Sequence, residues 1–295
     1  LSNIVWAFAK AKISQPTLLF NKIAEGVIMY HHLRTFKLQG IANIVWAYAT
    51  SKVSHPLLFY RMADIITVRK SSLTCQNVAN ILWSYSTSGI RDSSLFAALA
   101  PRVVILLDQF SSQELANIAW SYTVVNLDAP GLFNSAFANS LLEKMDSFNI
   151  AHLNQLYQWH IWQTREHSNT GLPPVLERQC YDAFTSTEPR ISFFQRDVVS
   201  VLRSIGLNPT EEVLTQRGYS LDALIEVNGK KVGVEVDGPS HFLGRKPTGS
   251  TRLKQRQVAN VEGLALISVP YWEWDVLWQS RYEKGDYLRC LLGMK

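Results

Sequence analysis

LANIAWSYTV, residues 115–124, is the last of four closely similar stretches in this chain. The others are LSNIVWAFAK at 1–10, IANIVWAYAT at 41–50 and VANILWSYST at 78–87. Their tryptophans, Trp6, Trp46, Trp83 and Trp120, lie 40, 37 and 37 residues apart. Each has an asparagine three residues before it (Asn3, Asn43, Asn80, Asn117) and an aromatic two residues after it (Phe8, Tyr48, Tyr85, Tyr122). Another 37 residues beyond Asn117 and Trp120 stand Asn154 and Tyr157, in HLNQLYQWHIW, a degenerate fifth copy. Several coincidences at one period of this size are the signature of a solenoid array.

Each copy holds two helical patterns. Leu115, Ile118 and Tyr122 are three and four apart, which aligns them on one helix face. The second helix of a copy is expected to open with proline, at Pro16, Pro56 and Pro130, because proline's missing N–H is no loss in a first turn. A single helix pair cannot bury its apolar stripes, so residues 1–163 should stack as an α-solenoid. The repeated Asn/Trp pair has two readings. The tryptophans either stack on RNA bases, or fill the inter-helix core while asparagine bonds to backbone in the next copy. Identity from copy to copy favours packing, since sequence readout needs positions that vary. The varying cations near helix ends are therefore the phosphate-contact candidates: Lys10, Lys12, Arg34, Lys37, Lys52, Arg69 and Lys70. A solvated surface charge is the alternative for each.

The bulk numbers agree with a folded chain. Of 295 residues, 47% are hydrophobic, ample for a core and too many for a disordered protein. No apolar run approaches the roughly 18 residues of a membrane span. Cys75, Cys180 and Cys290 are far apart with no CxxC pair, which argues against a disulfide scaffold or a structural zinc site. The formal charge of +5 is uneven. Residues 1–170 carry 13 Lys/Arg against 9 Asp/Glu, a net of +4; residues 171–295 carry 16 against 15, a net of +1. A basic first half is compatible with nucleic acid. Residue 1 already sits inside a repeat, so a processed or partial chain is expected and any targeting segment is out of view.

After Trp162 the repeat stops. Residues 164–178, with TGLPP, read as a linker, and 179–295 as a second domain. RISFFQRDVVSVLRSIGL reads as a helix, followed by strand-like EEVLTQR, SLDALIEV and KKVGVEVD. Asn228-Gly229 between the last two is a strong hairpin signal, because both turn positions need positive φ. A helix through TRLKQRQVANVEG, a strand ALISVPY and a final helix to about Leu292 complete a small α/β domain.

These residues carry a resemblance. YSLDALIEVNGKKVGVEVDGPSHF followed by TRLKQRQVANVEGLALISVPYWEWDVL resembles the RAP domain, over about 180–293. The matching features are Asp222, then Glu235-Val236-Asp237-Gly238-Pro239 with His241, then Val269-Pro270-Tyr271 and Trp274. The upstream copies are similar to the octotricopeptide repeats that often precede such domains, as in FAST-kinase-like proteins. The resemblance implies RNA work in an organelle, a mitochondrion or alternatively a chloroplast. Transcript processing, stability, translation and ribosomal RNA assembly are the implied roles, with organellar mRNA or rRNA and ribosomal proteins as partners. It also implies a PD-(D/E)xK nuclease-like fold. On that basis Asp222, Glu235, Asp237 and His241 are the catalytic candidates, and Asp222 and Glu235 would share Mg²⁺ or Mn²⁺.

The departure from that pattern is Asp237, which stands where a catalytic lysine is expected. The acids have an alternative use, anchoring structure through Arg256 or Lys254. The cations Arg245, Lys246, Arg252, Lys254 and Arg256 are further RNA-contact candidates. Trp272, Trp274 and Trp278 are expected to pack rather than to stack on bases. The leading expectation is RNA binding that needs no cofactor. The alternatives are a metal-dependent endoribonuclease and a protein–protein scaffold within a ribonucleoprotein.

Overall fold

The structure, a computed structural model, describes residues 1–13, 17–29, 35–167, 169–186, 191–277 and 280–294. Pro16, Arg34 and Trp278 lie outside the described residues. The chain divides into two units: Leu1–Cys180 with Leu243–Arg252, and Tyr181–Phe242 with Leu253–Lys295. The residues expected to be linker differ in part. A π-helical turn covers 162–166, and a helix, Pro174–Thr185, begins inside the expected linker.

The first unit is built from α1 (Ser2–Lys10), α2 (Thr17–Met29), α3 (Leu38–Thr50), α4 (Pro56–Arg69) and α5 (Cys75–Thr87), continuing with α6 (Ser93–Ile105), α7 (Ser112–Val125), α8 (Ser135–Glu143) and α9 (Ile150–Ile161). The odd-numbered helices stack in series, α1 on α3, α3 on α5, α5 on α7 and α7 on α9, while α2, α4 and α6 form a second layer. Pro56 opens α4 as expected, behind His55, whose Nδ1 accepts the Leu58 N–H. Pro130 does not open a helix: α8 starts at Ser135, where Asn134 accepts two backbone N–H groups as its cap.

What locks copy to copy is the tyrosine two residues after each tryptophan. Tyr48, Tyr85 and Tyr122 are fully buried or nearly so. Their hydroxyls donate to the backbone carbonyls of Phe20 at 2.6 Å, Phe59 at 2.6 Å and Phe96 at 2.7 Å. The rings meet those same phenylalanines edge-on, with centroids 4.8, 4.9 and 5.0 Å apart. Each clamp thus joins an odd helix to the second helix of the preceding copy through one hydrogen bond and one aromatic pair. Burial pushes all three phenols well above their ordinary range, so they remain proton donors at any physiological pH. The fifth copy has Trp159 at this position, packed on Phe133 and Phe137 with centroids 5.4 and 5.7 Å away.

The packing reading of the repeated tryptophans holds only in part. Trp6 is 41% exposed, Trp46 and Trp83 are half-buried, and only Trp120 is buried. The tyrosines fill the seam. In the fourth copy the asparagine does bond across the seam, but to a side chain: Gln155 Nε2 donates to Asn117 Oδ1 at 3.1 Å, and Trp120 Nε1 donates to Gln158 at 2.9 Å. A second recurring device is an arginine at the end of the second helix. Arg69 donates to the Phe36 carbonyl at 2.8 Å, and Arg102 to the Leu73 carbonyl at 2.7 and 3.1 Å.

Leu243–Arg252 belongs to this unit. A Cβ on Gly249 would run into the Ser86 carbonyl oxygen and stand 2.8 Å from Val124 Cγ1, so glycine is required there. Arg252 donates to the Gly89 carbonyl at 3.2 Å.

The second unit contains α11 (Phe193–Ser204), β1 (Thr210–Leu214), β2 (Ser220–Val227) and β3 (Lys230–Asp237), and ends with β6 (Ala265–Pro270), α13 (Tyr271–Val276) and α14 (Arg281–Leu291). The short strands β4 (Phe242–Leu243) and β5 (Lys246–Pro247) pair only with each other, and α10 (Pro174–Thr185) and α12 (Gly249–Glu262) complete the element list. The sheet runs β1-β2-β3-β6, antiparallel except for the parallel β3–β6 pair. Asn228 and Gly229 turn the β2–β3 hairpin at φ of 52° and 73°. Glu212, at φ 51°, lies opposite Asp222 between the Glu211–Ala223 and Val213–Leu221 pairs, with no shift of register. Ala223, Ile225, Val234 and Val269 pack with Val198, Leu202 and Leu288 of α11 and α14. Alternation along β3 turns Gly233, Glu235 and Asp237 to the other face.

If the tyrosine is the locking residue, Tyr85→Phe should lower stability to urea by about 1–2 kcal/mol, because the Phe59 carbonyl loses its donor. Trp83→Phe should stay within about 0.5 kcal/mol of wild type, as a half-exposed substitution does. The reverse order would show that tryptophan is the packing residue.

Candidate functional site

The carboxylate cluster is positioned by sheet register. Ala223 pairs with Val234, so the next step along each strand sets Asp222 beside Glu235, and Glu235 pairs with Ser268 of β6. Glu235 is only 5% exposed and Asp237 only 2%. Their polar atoms are largely committed. Asp222 Oδ2 accepts the Val236 N–H at 2.6 Å. Asp237 accepts the Ser268 hydroxyl on one oxygen and faces His241 Nδ1 at 3.1 Å on the other. Lys254, from α12, places its ammonium 2.5 Å from Glu235 Oε2. Glu212 of β1 and the Asp222 carbonyl both accept from Gln195 Nε2, at 2.5 and 3.2 Å.

One atom is left over: Glu235 Oε1 is buried without a hydrogen-bond partner. Burial pushes the Glu235 carboxyl up to about 7, and the Asp222 and Asp237 charges push the same way against the Lys254 ammonium. Burial also raises Asp222, offset in part by the Val236 N–H and by Lys254. Desolvation therefore outweighs an ion pair of good geometry at Glu235.

The residues present do not fit a divalent metal. Asp222 and Glu235 are neighbours, as expected for a shared ion, but Asp222 turns one oxygen onto backbone and Lys254 already fills the cationic position beside Glu235. Among the described residues no group of three or more His, Cys, Asp or Glu side chains is arranged to hold a metal ion. The shared metal is expected only for an active nuclease, and at Glu235 the structure shows the alternative use, an ion pair with Lys254. Lysine supplies the charge from a helix rather than from the strand position that Asp237 occupies. What the cluster can do is hold one proton near neutrality, and tie β2, β3, β6 and α12 together.

The cation candidates separate into groups. Lys10, Lys12, Lys37 and Lys52 are exposed, at the ends of α1 and α3. Arg69 is committed to the Phe36 carbonyl and acts in the array rather than at a phosphate. Lys70 is half-buried in a 3-10 turn. Arg245 and Lys246 are exposed beside the β4–β5 pair, and Arg252 holds Gly89. Lys254 is the partner of Glu235, and Arg256 is half-buried on the same helix. Trp274 packs as expected: it is 3% exposed, and its Nε1 donates to Asp197 at 2.8 Å. Trp272 meets Phe242 edge-on, centroids 4.2 Å apart. Ser268 and Gln195 carry no motif: Ser268 is placed by strand register opposite Glu235, and Gln195 by the packing of α11 on the sheet.

Comparison with known proteins finds two families, and the second match begins at 234, beyond Asp222. Residues 1–160, just over half of it, match the family described as RNA-editing substrate-binding complex 6 protein. Residues 234–291 match the RAP domain. A RAP domain-containing protein, chloroplastic, of Oryza sativa subsp. japonica is 39% identical over 105 residues, 35% of this chain. That match takes in only 16% of the rice protein's length.

The raised Glu235 carboxyl sets a pH dependence. Between its ordinary value of 4.5 and about 7 the folded protein holds a proton that the unfolded chain has released. Stability contributed by that proton is present below pH 4.5 and lost as pH rises through about 7. Over that window the melting temperature of Glu235→Gln should fall less with rising pH than that of wild type. Parallel pH profiles for the two proteins would contradict the assignment.

Proposed function

The chain belongs to the RNA-editing substrate-binding complex 6 protein family, and from that premise we propose that it is a non-catalytic RNA-binding protein of an organelle. Its array would grip the backbone of an RNA undergoing processing, with the RAP domain as a second contact. The observation that carries this is the set of exposed lysines at the ends of α1 and α3: Lys10, Lys12, Lys37 and Lys52. They lie at helix ends on the surface, where a phosphate can reach them. Lysines of this kind act on phosphate as point charges and confer affinity without sequence choice.

Binding without cutting is favoured by the carboxylate cluster. Its acids bond to backbone, Ser268, His241 and Lys254, and none is left with two open oxygens aimed at one point. The RNA-editing and chloroplastic descriptions of its relatives support an organellar transcript as the ligand. A role in transcript maturation in a mitochondrion or chloroplast, or in ribosomal RNA assembly, fits that chemistry.

Each phosphate neutralised on a single strand contributes about −0.7 to the slope of log affinity against log salt. Replacing Lys10, Lys12, Lys37 and Lys52 by alanine should reduce that slope by about 2–3, read by fluorescence anisotropy with a single-stranded RNA. An unchanged slope, or no binding by the wild-type protein at low salt, would overturn the proposal. So would Mg²⁺-dependent RNA cleavage that disappears in Asp222→Ala.

A further inference from the structure

The odd helices carry one more periodic feature. Gln39, Asn43 and Trp46 in α3 recur as Gln76, Asn80 and Trp83 in α5 and as Gln113, Asn117 and Trp120 in α7, each set 37 residues on. Spacings of four and three place each set along one face of its helix. Part of that face is open: Gln39, Gln76 and Gln113 are exposed, and the asparagines together with Trp46 and Trp83 are half-buried. The tyrosine clamps already account for copy-to-copy packing. An exposed glutamine repeated three times at the same helical position has no packing reason.

We propose that this stripe is a nucleobase platform for a single-stranded RNA tract of one repeated base. Three observations carry it, and it rests on the RNA-binding reading above. First, each stripe joins an aromatic plane to two amides, and an amide both donates and accepts, as the edge of a base does. Second, the rings are partly open: Trp6 is 41% exposed, and Trp46 and Trp83 are half-buried. The Lys10 ammonium, 5.8 Å from the Trp6 centroid and 5.4 Å from the Trp46 centroid, covers these two rings and must move aside for a base to stack there. Third, α3 and α5 present the same three side chains. Identical readers in series select identical bases, whereas a mixed sequence requires readers that differ from copy to copy. At α7 the platform closes, because Asn117 and Trp120 bond to Gln155 and Gln158 of the next copy. The open part therefore runs from α1 to α5.

The test measures affinity of the full chain for the four homopolymeric RNAs and for one mixed sequence of equal length, at fixed salt. One homopolymer should bind at least about tenfold more tightly than the mixed sequence, with quenching of tryptophan fluorescence as bases stack. Gln39→Ala combined with Gln76→Ala should erase that preference while leaving the melting temperature and the salt slope unchanged. Trp46→Ala with Trp83→Ala should weaken the preferred RNA by about tenfold or more. Equal binding of all five RNAs, or a preference that survives the glutamine substitutions, would overturn the platform while leaving phosphate binding standing. Absence of RNA binding at low salt would instead remove the reading on which it rests.

Discussion

A buried phenol donating to the backbone carbonyl of the phenylalanine it also packs against is the interaction on which the array depends. Tyr48, Tyr85 and Tyr122 repeat it with almost the same geometry, from 2.6 to 2.7 Å for the hydrogen bond and 4.8 to 5.0 Å for the rings. A carbonyl in a helix has a second lone pair, so it accepts the hydroxyl without losing its own helical partner. The clamp is directional as well as apolar, and it sets the register of each helix pair on the one before. The tryptophans two residues earlier are less uniformly placed: Trp46 and Trp83 are half-buried, and Trp120 is buried and bonded to Gln158.

Much of this was legible in the chain itself. Period, helix pairs, the change of character after Trp162 and the Asn228-Gly229 hairpin all follow from local pattern and turn chemistry. The roles within each repeat were not. A conserved-looking Asn/Trp pair and the aromatic after it are equally periodic, and periodicity alone does not say which of them points inward. Burial decides it, through the phase of α3, α5 and α7 against their neighbours. The glutamine stripe carried the same period of 37 and could have been found by aligning the copies one turn further upstream. Pro130 misled for a related reason: it sits in a turn, and the true helix start is marked by the Asn134 cap.

The carboxylate cluster shows the same limit in the other direction. Strand alternation put Glu235 and Asp237 on one face, and the hairpin put Asp222 beside them. Sequence could not say which oxygen each acid had left. Lys254 lies 19 residues from Glu235, on a helix whose rotation no motif encodes, yet its ammonium occupies the position that a cation would need. The result is a cluster of acids held by hydrogen bonds and one lysine. Its remaining chemical character is a single carboxyl near neutrality.

The most direct test is ultraviolet crosslinking of the full chain to single-stranded RNA, with the adducts located by mass spectrometry. The account predicts adducts on α1, α3 and α5, at Lys10, Trp46 and Trp83 above all. Adducts confined to the second layer, α4 and α6, or to the RAP domain alone, would contradict it.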